Sequence, residues 1–182
     1  MTTKARERRG PGAADDALPP GRDEAVTVLF HTHWASLVRL ARLLVDDVET
    51  AEDVVQEAFA QLHRRWGALR DPDRALFYLR AAVANGSRNH LRSRRVRRGH
   101  VADAPVPQAS AESVAIDRAE HRAVLDHLRE LPWRQRQVLV LRYYLDLSEA
   151  QIADALGISA GAVKSHASRG VASLGRRIEA TS

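Results

Sequence analysis

The chain of 182 residues contains no cysteine, one methionine and only nine aromatic residues, three each of Trp, Tyr and Phe. The absence of cysteine excludes a disulfide framework and a thiolate zinc site. No apolar run approaches the roughly 20 residues that a membrane helix needs. The basic N-terminus is followed by no apolar stretch, so it does not read as a secretory signal. We therefore expect a cytoplasmic protein with no membrane insertion.

Signatures of catalysis and of cofactor binding are also missing. The sequence has no GxGxxG or GxxxxGK[ST] phosphate loop and no HExxH motif. His31 and His33 are two residues apart and therefore diverge on a helix. We expect no enzyme activity, no metal and no cofactor. A nuclease that uses the histidines and acidic residues is an alternative without ligand or triad spacing.

Helical periodicity divides the chain into two blocks. Apolar residues recur at steps of three and four over 24–97 and again over 117–180, with no convincing strand. Residues 1–23 and 98–116 have no apolar period and are rich in Gly, Pro, Ala or Ser, which predicts a disordered tail and a flexible linker. The predicted fold is all-α, with two small helical domains joined by that linker.

The stretch "SEAQIADALGISAGAVKSH" has the spacing of a helix-turn-helix. Ser148 and Gln151 stand at capping-box spacing, Gly157 is a helix stop, and Ser159 is a candidate N-cap for the second helix. The apolar stripe of that second helix is predicted to comprise Val163, Ala167, Val171, Leu174 and Ile178. The other face is polar and basic, which suits DNA; an ordinary helical hairpin with a solvated face is the alternative.

Charge is distributed unevenly in a chain whose net charge is +5. A basic excess favours a polyanionic partner, and the run Arg92–Arg98 ends a helix that also holds Phe77 and Tyr78, which could stack bases or belong to the core. The preceding helix is crowded with acidic residues, which we interpret as a protein-docking surface or as helix N-terminal charge. These residues are Asp46, Asp47, Glu49, Glu52, Asp53 and Glu57.

Three stretches resemble one family, the extracytoplasmic-function sigma factors. "AEDVVQEAF" with "LHRRW" resembles the second helix of region 2, and "DPDRALFYLRAAVANGSRNHLRSRR" resembles the promoter-melting helix. "LRELPWRQRQVLVLRYYLDLSEAQIADALGISAGAVKSHASRG" resembles region 4. The similarity is to the actinobacterial SigE-like subgroup. It implies a sigma factor that binds core RNA polymerase, directs it to specific promoters and assists promoter opening.

The resemblance also implies roles for individual residues. Region 2 would span 24–97 and region 4 would span 117–180. Docking on the clamp helices of the largest catalytic subunit of polymerase is implied for Asp53, Gln56, Glu57 and Phe59. Recognition of the minus-ten element is implied for Asn85, Arg88, Leu91, Arg92 and Arg95. Recognition of the minus-thirty-five element is implied for Lys164, Ser165, His166, Ser168 and Arg169.

Further partners implied by the resemblance are promoter DNA and the flap of the second-largest polymerase subunit, and an anti-sigma factor is left open. Two departures from the family fall in the recognition helix. Gly170 is a glycine within a helix, which costs about 1 kcal/mol relative to alanine, and Ala167 is small where relatives often have Leu, so we expect looser helix docking there. The alternative function is a helix-turn-helix regulator that does not bind core polymerase. Such a regulator would not explain the acidic helix or the long basic helix that follows it.

Overall fold

The computed structural model describes residues 21–69, 71–98 and 124–181, and the side chains of all of these except 90–98 and 181. Every regular element in these ranges is helical, which confirms the all-α prediction. The predicted tail lies outside the described residues as far as position 20, and the predicted linker lies outside them from position 99. The helices are α1 (Arg22–Arg42), α2 (Val48–Arg65), α3 (Ala75–Arg98), α4 (Trp133–Leu139), α5 (Glu149–Leu156) and α6 (Ala160–Thr181).

The N-terminal half is built from α1, α2 and α3, whose apolar faces pack together. Helix α2 begins where the side chain of Asp47 accepts a 2.8 Å hydrogen bond from the backbone N–H of Thr50, an N-cap that supplies a partner for one free donor. Burial of each large aliphatic side chain contributes about 1.5–3 kcal/mol. The fully buried ones here are Leu37, Leu40, Leu44, Val45, Val54, Val55, Leu62, Leu79 and Val83.

The described part of the C-terminal half comprises a helical segment at 124–129, followed by α4, α5 and α6. Pro132 stands at the N-cap of α4, where its missing N–H costs nothing. The helix continues as a π-helical turn over Val140–Tyr144. Asp146 then has a positive φ of 51°, a left-handed conformation that Asp tolerates better than most residues. This sharp turn redirects the chain into α5.

The two halves share one continuous hydrophobic core. Val138, Leu141 and Ile152 of the C-terminal half belong to the same buried cluster as Leu79 and Val83 of α3. Helix α3 contacts α5 directly. The division into two domains stays a prediction, and the direct packing of one half on the other was not foreseen from the sequence. No helix in the described part of the chain combines the length and apolarity that crossing a bilayer would require.

Candidate nucleic-acid interface

Helices α5 and α6 form the predicted helix-turn-helix, with the predicted caps in place. The hydroxyl of Ser148 accepts a hydrogen bond from the backbone N–H of Gln151, and the Gln151 side chain accepts one from the backbone N–H of Ser148. Gly157 ends α5 with a φ of 61°, a left-handed position that glycine adopts without strain. Ser159 accepts a 3.2 Å hydrogen bond from the N–H of Ala162, so it caps the start of α6 as predicted. These local signals fix the angle at which the second helix leaves the turn.

The buried stripe of α6 differs from the predicted one in its second half. Val163 and Ala167 are buried as expected, but the next buried position is Gly170. Val171 is 48% exposed and Ile178 is 38% exposed, so their assignment to the inward stripe was wrong. The physical reason is the period of 3.6 residues per turn. A step of 4 residues followed by a step of 3, from Val163 through Ala167 to Gly170, stays on one face, whereas two successive steps of 4, which end at Val171, rotate away from that face.

Gly170 lets α6 approach α4 closely. A β-carbon at this position would lie 3.0 Å from Cδ1 of Leu139 and 3.4 Å from Cβ of Gln135. The expectation of looser helix docking in this stretch is therefore wrong at Gly170, because the missing side chain is what makes room for Leu139. Close approach of two helices is a common use of glycine.

Three of the five candidate minus-thirty-five residues lie fully on the outer face of α6. Lys164, Ser168 and Arg169 are exposed, while Ser165 and His166 are half-buried. The exposed set combines a hydroxyl with two cations, which are the groups that contact base edges and phosphates. The assignment of these five residues to DNA stays a prediction.

Helix α3 holds the candidate minus-ten residues, of which the structure describes two side chains. Asn85 and Arg88 are exposed on α3. The side chains of Leu91, Arg92 and Arg95 lie outside the described residues, although their backbone is part of the helix. Ser87, on the opposite side, is completely buried and donates a 2.8 Å hydrogen bond to the carbonyl of Val83. The helix thus has one face fixed in the core and another turned towards the C-terminal half and solvent.

Arg88 of α3 and Arg134 of α4 come from different halves of the chain, and their positive charges interact. Arg134 of α4 donates a 2.8 Å hydrogen bond to Oε1 of Gln137. Burial lowers the pKa of the Arg134 guanidinium below its usual value, and the positive charge of Arg88 lowers that pKa further. Two like charges at one junction raise the local positive potential, which attracts an anion such as a phosphate.

The acidic face of α2 is exposed, apart from one candidate residue. Asp53, Gln56 and Glu57 are exposed, and Glu57 forms a 2.9 Å ion pair with Arg64 one to two turns further on. Phe59 is only 6% exposed and packs against Phe30 with 5.1 Å between the ring centroids. The structure therefore places Phe59 beneath the surface that the other three residues form.

Two polar residues at the junction of the halves were not selected from the sequence. Gln137 is completely buried and donates a 2.8 Å hydrogen bond from Nε2 to the carbonyl of Ala84. Arg136 is also buried and donates to the carbonyl of Leu44 at 3.2 Å. The signal that could have revealed them is their position next to the continuous apolar run "VLVL", because a polar side chain beside such a run must find a buried partner.

Clusters of metal-binding residues are not found within 21–69, 71–98 and 124–181: no group of three His, Asp or Glu side chains comes together there.

Two family models match the chain in the order that the sequence predicted. The model described as "Sigma-70 region 2" matches residues 29–97, and the model described as "Sigma-70, region 4" matches residues 121–174. Among curated proteins, the RNA polymerase sigma-E factor of Streptomyces avermitilis is 34% identical over 81% of this chain and 82% of its own length. The extracytoplasmic-function RNA polymerase sigma factor SigL of Mycobacterium tuberculosis is 32% identical over 86% of each chain.

Solved structures show the same fold. The structure of CnrH in complex with the cytosolic domain of CnrY is 25% identical and matches with a TM-score of 0.64, covering 88% of this chain and 96% of that one. The sigma factor RpoE of Bartonella quintana, solved with the anti-sigma factor NepR, has a TM-score of 0.66 over 84% of this chain and 96% of its own. At 18% identity the second likeness speaks for the fold alone.

Proposed function

Because the chain belongs to the sigma-70 family of RNA polymerase sigma factors, in its extracytoplasmic-function group, we propose that its two helical halves divide promoter recognition between them. A sigma factor is not an enzyme: it binds core RNA polymerase and directs it to promoters. The observation that carries this function is the match of both region models in order along one chain. A helix-turn-helix regulator without polymerase binding is not favoured, because it would leave region 2 unexplained.

The first part of the proposal concerns the acidic face of α2. Asp53, Gln56 and Glu57 dock on the clamp helices of the largest polymerase subunit, and Phe59 supports them from the core. Exposure of the three polar residues and burial of Phe59 against Phe30 favour this division. Charge complementarity across such an interface gives specificity and speeds encounter.

The second part concerns DNA. Helix α3 reads and opens the minus-ten element with Asn85, Arg88, Leu91, Arg92 and Arg95. Extruding a base from the duplex costs a few kcal/mol. The binding energy of both halves offsets this cost, because the linker makes the binding of one half to DNA effectively intramolecular once the other half is bound.

The third part concerns region 4. Helix α6 reads the minus-thirty-five element with Lys164, Ser165, His166, Ser168 and Arg169. The exposed apolar side chains of Val171 and Ile178 on the same helix offer a contact for the flap of the second-largest polymerase subunit. The chain acts in the cytoplasm, where polymerase and the genome are found.

An anti-sigma factor is a further proposed partner. CnrH, which is 25% identical to this chain, was solved as a complex with the cytosolic domain of CnrY, and a comparable partner would hold this chain inactive.

The experiment that tests the function is transcription with core polymerase and this protein alone on a library of promoter templates. We expect initiation at a discrete set of templates that core polymerase by itself does not use. Transcription indistinguishable from that of core polymerase would contradict the function. Retention of the protein on core polymerase in size-exclusion chromatography separates a sigma subunit from a regulator that binds only DNA.

A further inference from the structure

Hydrogen bonds bring one arginine from each half of the chain to the same place. Gln137 of α4 donates a 2.8 Å hydrogen bond from Nε2 to the carbonyl of Ala84 in α3. Its Oε1 accepts a 2.8 Å hydrogen bond from Nη1 of Arg134. Arg88 lies one helical turn after Ala84, and a helical side chain leans back over the turn that precedes it. The side chains of Arg88 and Arg134 therefore approach each other beside Gln137.

These two arginines have no counter-charge in the described part of the chain. Neither belongs to an ion pair there, and the sequence has no Asp or Glu from position 75 to position 102. Burial lowers the pKa of the Arg134 guanidinium, and the charge of Arg88 lowers that pKa further. Two neighbouring cations repel each other more strongly in a partly buried site than in water. An anion bound between them would remove this cost.

The Arg134 guanidinium is held in a fixed position. Gln137 is completely buried, and both ends of its amide are engaged, one with Ala84 and the other with Arg134. A ligand that binds Arg134 therefore loses little free energy in ordering that side chain. Support of this kind from a buried neighbour favours a specific site over a set of mobile surface cations.

Donors of both arginines are open to a ligand that arrives from solvent. Arg88 is exposed and Arg134 is half-buried. A guanidinium has five N–H donors, and Arg134 gives one of them to Gln137. The planar fork of the remaining donors matches two oxygens of a phosphate group. The pair thus offers two forks, from two different helices, to one oxyanion.

The charge and the shape of the site favour a terminal phosphate. Such a group carries about 1.5 to 2 negative charges at pH 7 and presents three acceptor oxygens, which suffice for two guanidinium groups. A phosphodiester of a nucleic-acid backbone carries about one charge and has a sugar on each side. Those sugars would have to fit next to Arg134, which is half-buried at the junction of the halves.

We propose that Arg88 and Arg134 bind the terminal phosphate of a small phosphorylated molecule, of the class of inorganic pyrophosphate or a nucleoside diphosphate. The ligand contacts both halves of the chain through one phosphate group. The site itself does not depend on the proposed function. One consequence rests on that function: because Arg88 is a proposed contact of the minus-ten element, the ligand competes with promoter DNA for that guanidinium and lowers transcription.

Calorimetric titration of the full-length protein with inorganic pyrophosphate, in a phosphate-free buffer, tests the site. Arg88→Gln and Arg134→Gln each remove one guanidinium, and we expect each to weaken binding about tenfold, the effect of losing a hydrogen bond to a charged group. The control is Arg65→Gln, which removes the same charge from an exposed position at the end of α2.

Arg65 is a suitable control because it lies far from the site. A β-carbon on Gly86, two residues before Arg88, would lie 3.5 Å from Cγ1 of Val54. Arg65 is a further 11 residues along α2 from Val54, which is roughly 16 Å at 1.5 Å per residue. At physiological salt, exposed charges beyond about 8 Å are largely screened, so Arg65→Gln should change the Kd by less than about twofold.

Two results of the titration would overturn the site. Equal losses in all three variants would mean a diffuse attraction of pyrophosphate to a chain with a net charge of +5. Wild-type affinity in Arg88→Gln would mean that this guanidinium does not touch the ligand. Because Arg134 also bonds Gln137, Arg134→Gln can lose structure, which circular dichroism reveals; Arg88→Gln, at an exposed position, then decides the outcome.

Modification by phenylglyoxal, an arginine-specific reagent, mapped by mass spectrometry, distinguishes the sources of phosphate. Pyrophosphate should protect both Arg88 and Arg134 and leave Arg65 reactive. Single-stranded DNA without terminal phosphates should protect Arg88, as the proposed function requires, and leave Arg134 reactive. Protection of both arginines by DNA and of neither by pyrophosphate overturns the proposal in favour of a nucleic-acid backbone. Protection of both by pyrophosphate, with Arg88 left reactive by DNA, contradicts the proposed minus-ten role of Arg88 while the phosphate site stands.

Discussion

A β-carbon on Gly170 would lie 3.0 Å from Cδ1 and 3.1 Å from Cγ of Leu139, on the helix that faces α6. Real β-carbon contacts are rarely this short, so the two helices approach as closely as they do only because position 170 has no side chain. Leu139 is itself buried and cannot move away freely in a well-packed interior.

Gly170→Ala should destabilise the C-terminal half. Overpacking costs typically about 1–3 kcal/mol, whereas replacing a helical glycine with alanine gains up to about 1 kcal/mol. We expect the free energy of unfolding, measured by urea titration, to fall by up to about 2 kcal/mol, the difference between these two effects. Gly175→Ala is the matched control, because a β-carbon at position 175 of the same helix meets nothing within 4 Å; it should gain stability. Equal gains at both glycines would contradict the close contact with Leu139.

Local signals in the sequence were sufficient for the elements and the helix-turn-helix. The capping box of Ser148 and the stop at Gly157 could be predicted because capping depends on residues within one turn of each other. The inward position of Gly170 could not be predicted from hydrophobicity, since glycine contributes no apolar side chain to the pattern. The bond between Gln137 and Ala84 has no sequence signature either, because one partner is a backbone carbonyl 53 positions away.

Phe59 should behave as a core residue in mutational tests. Its ring is 6% exposed and contacts Phe30, and truncation of a buried aromatic ring costs about 3–5 kcal/mol. We expect Phe59→Ala to lower the free energy of unfolding by about 3–5 kcal/mol and Phe59→Leu to lower it by a smaller amount. At a temperature where Phe59→Leu remains folded, its affinity for core polymerase should equal that of the wild type. A large loss of affinity in a folded Phe59→Leu variant would show that the ring itself contacts polymerase.

The acidic face of α2 should determine polymerase affinity. Asp53→Lys/Glu57→Lys places two cations where the proposed interface requires carboxylates, and like charges opposed across an interface cost several kcal/mol. We expect the affinity for core polymerase, measured by fluorescence anisotropy, to fall at least about tenfold, which is about 1.4 kcal/mol. Helix content should be unchanged, because both residues are exposed.

A charge-matched control separates docking from net charge. Glu24→Lys/Asp73→Lys makes the same change in net charge at exposed positions of α1 and of the turn Pro72–Arg74 before α3. This variant should keep wild-type affinity for core polymerase at physiological salt, since an exposed charge further than about 8 Å from the interface is largely screened from the charges of the partner. Equal losses in both double variants would show that the acidic face has no special role.

Position along α6 distinguishes two kinds of DNA contact. Lys164 lies in the second turn of the helix and Arg169 lies more than one turn further on, and both are exposed. In a helix-turn-helix, residues near the N-terminal end of the second helix reach base edges, while more distant cations meet phosphates. Loss of a base contact relaxes preference at one position, whereas loss of a phosphate contact weakens all sequences alike.

The final prediction follows from this difference. On a library of minus-thirty-five variants transcribed with core polymerase, Lys164→Ala should change the ranking of promoters, with a cost of about 1–3 kcal/mol at the preferred base. Arg169→Ala should lower all promoters without reordering them and should reduce the slope of log affinity against log salt by about 1. Arg39→Ala removes the same charge from an exposed position of α1, in the other half of the chain, and serves as the control, which should leave both ranking and level near those of the wild type. Because Lys164 and Arg169 share the outer face of one helix, an unchanged ranking and an unchanged level in both variants would mean that this face is only solvated and that α6 does not read the promoter.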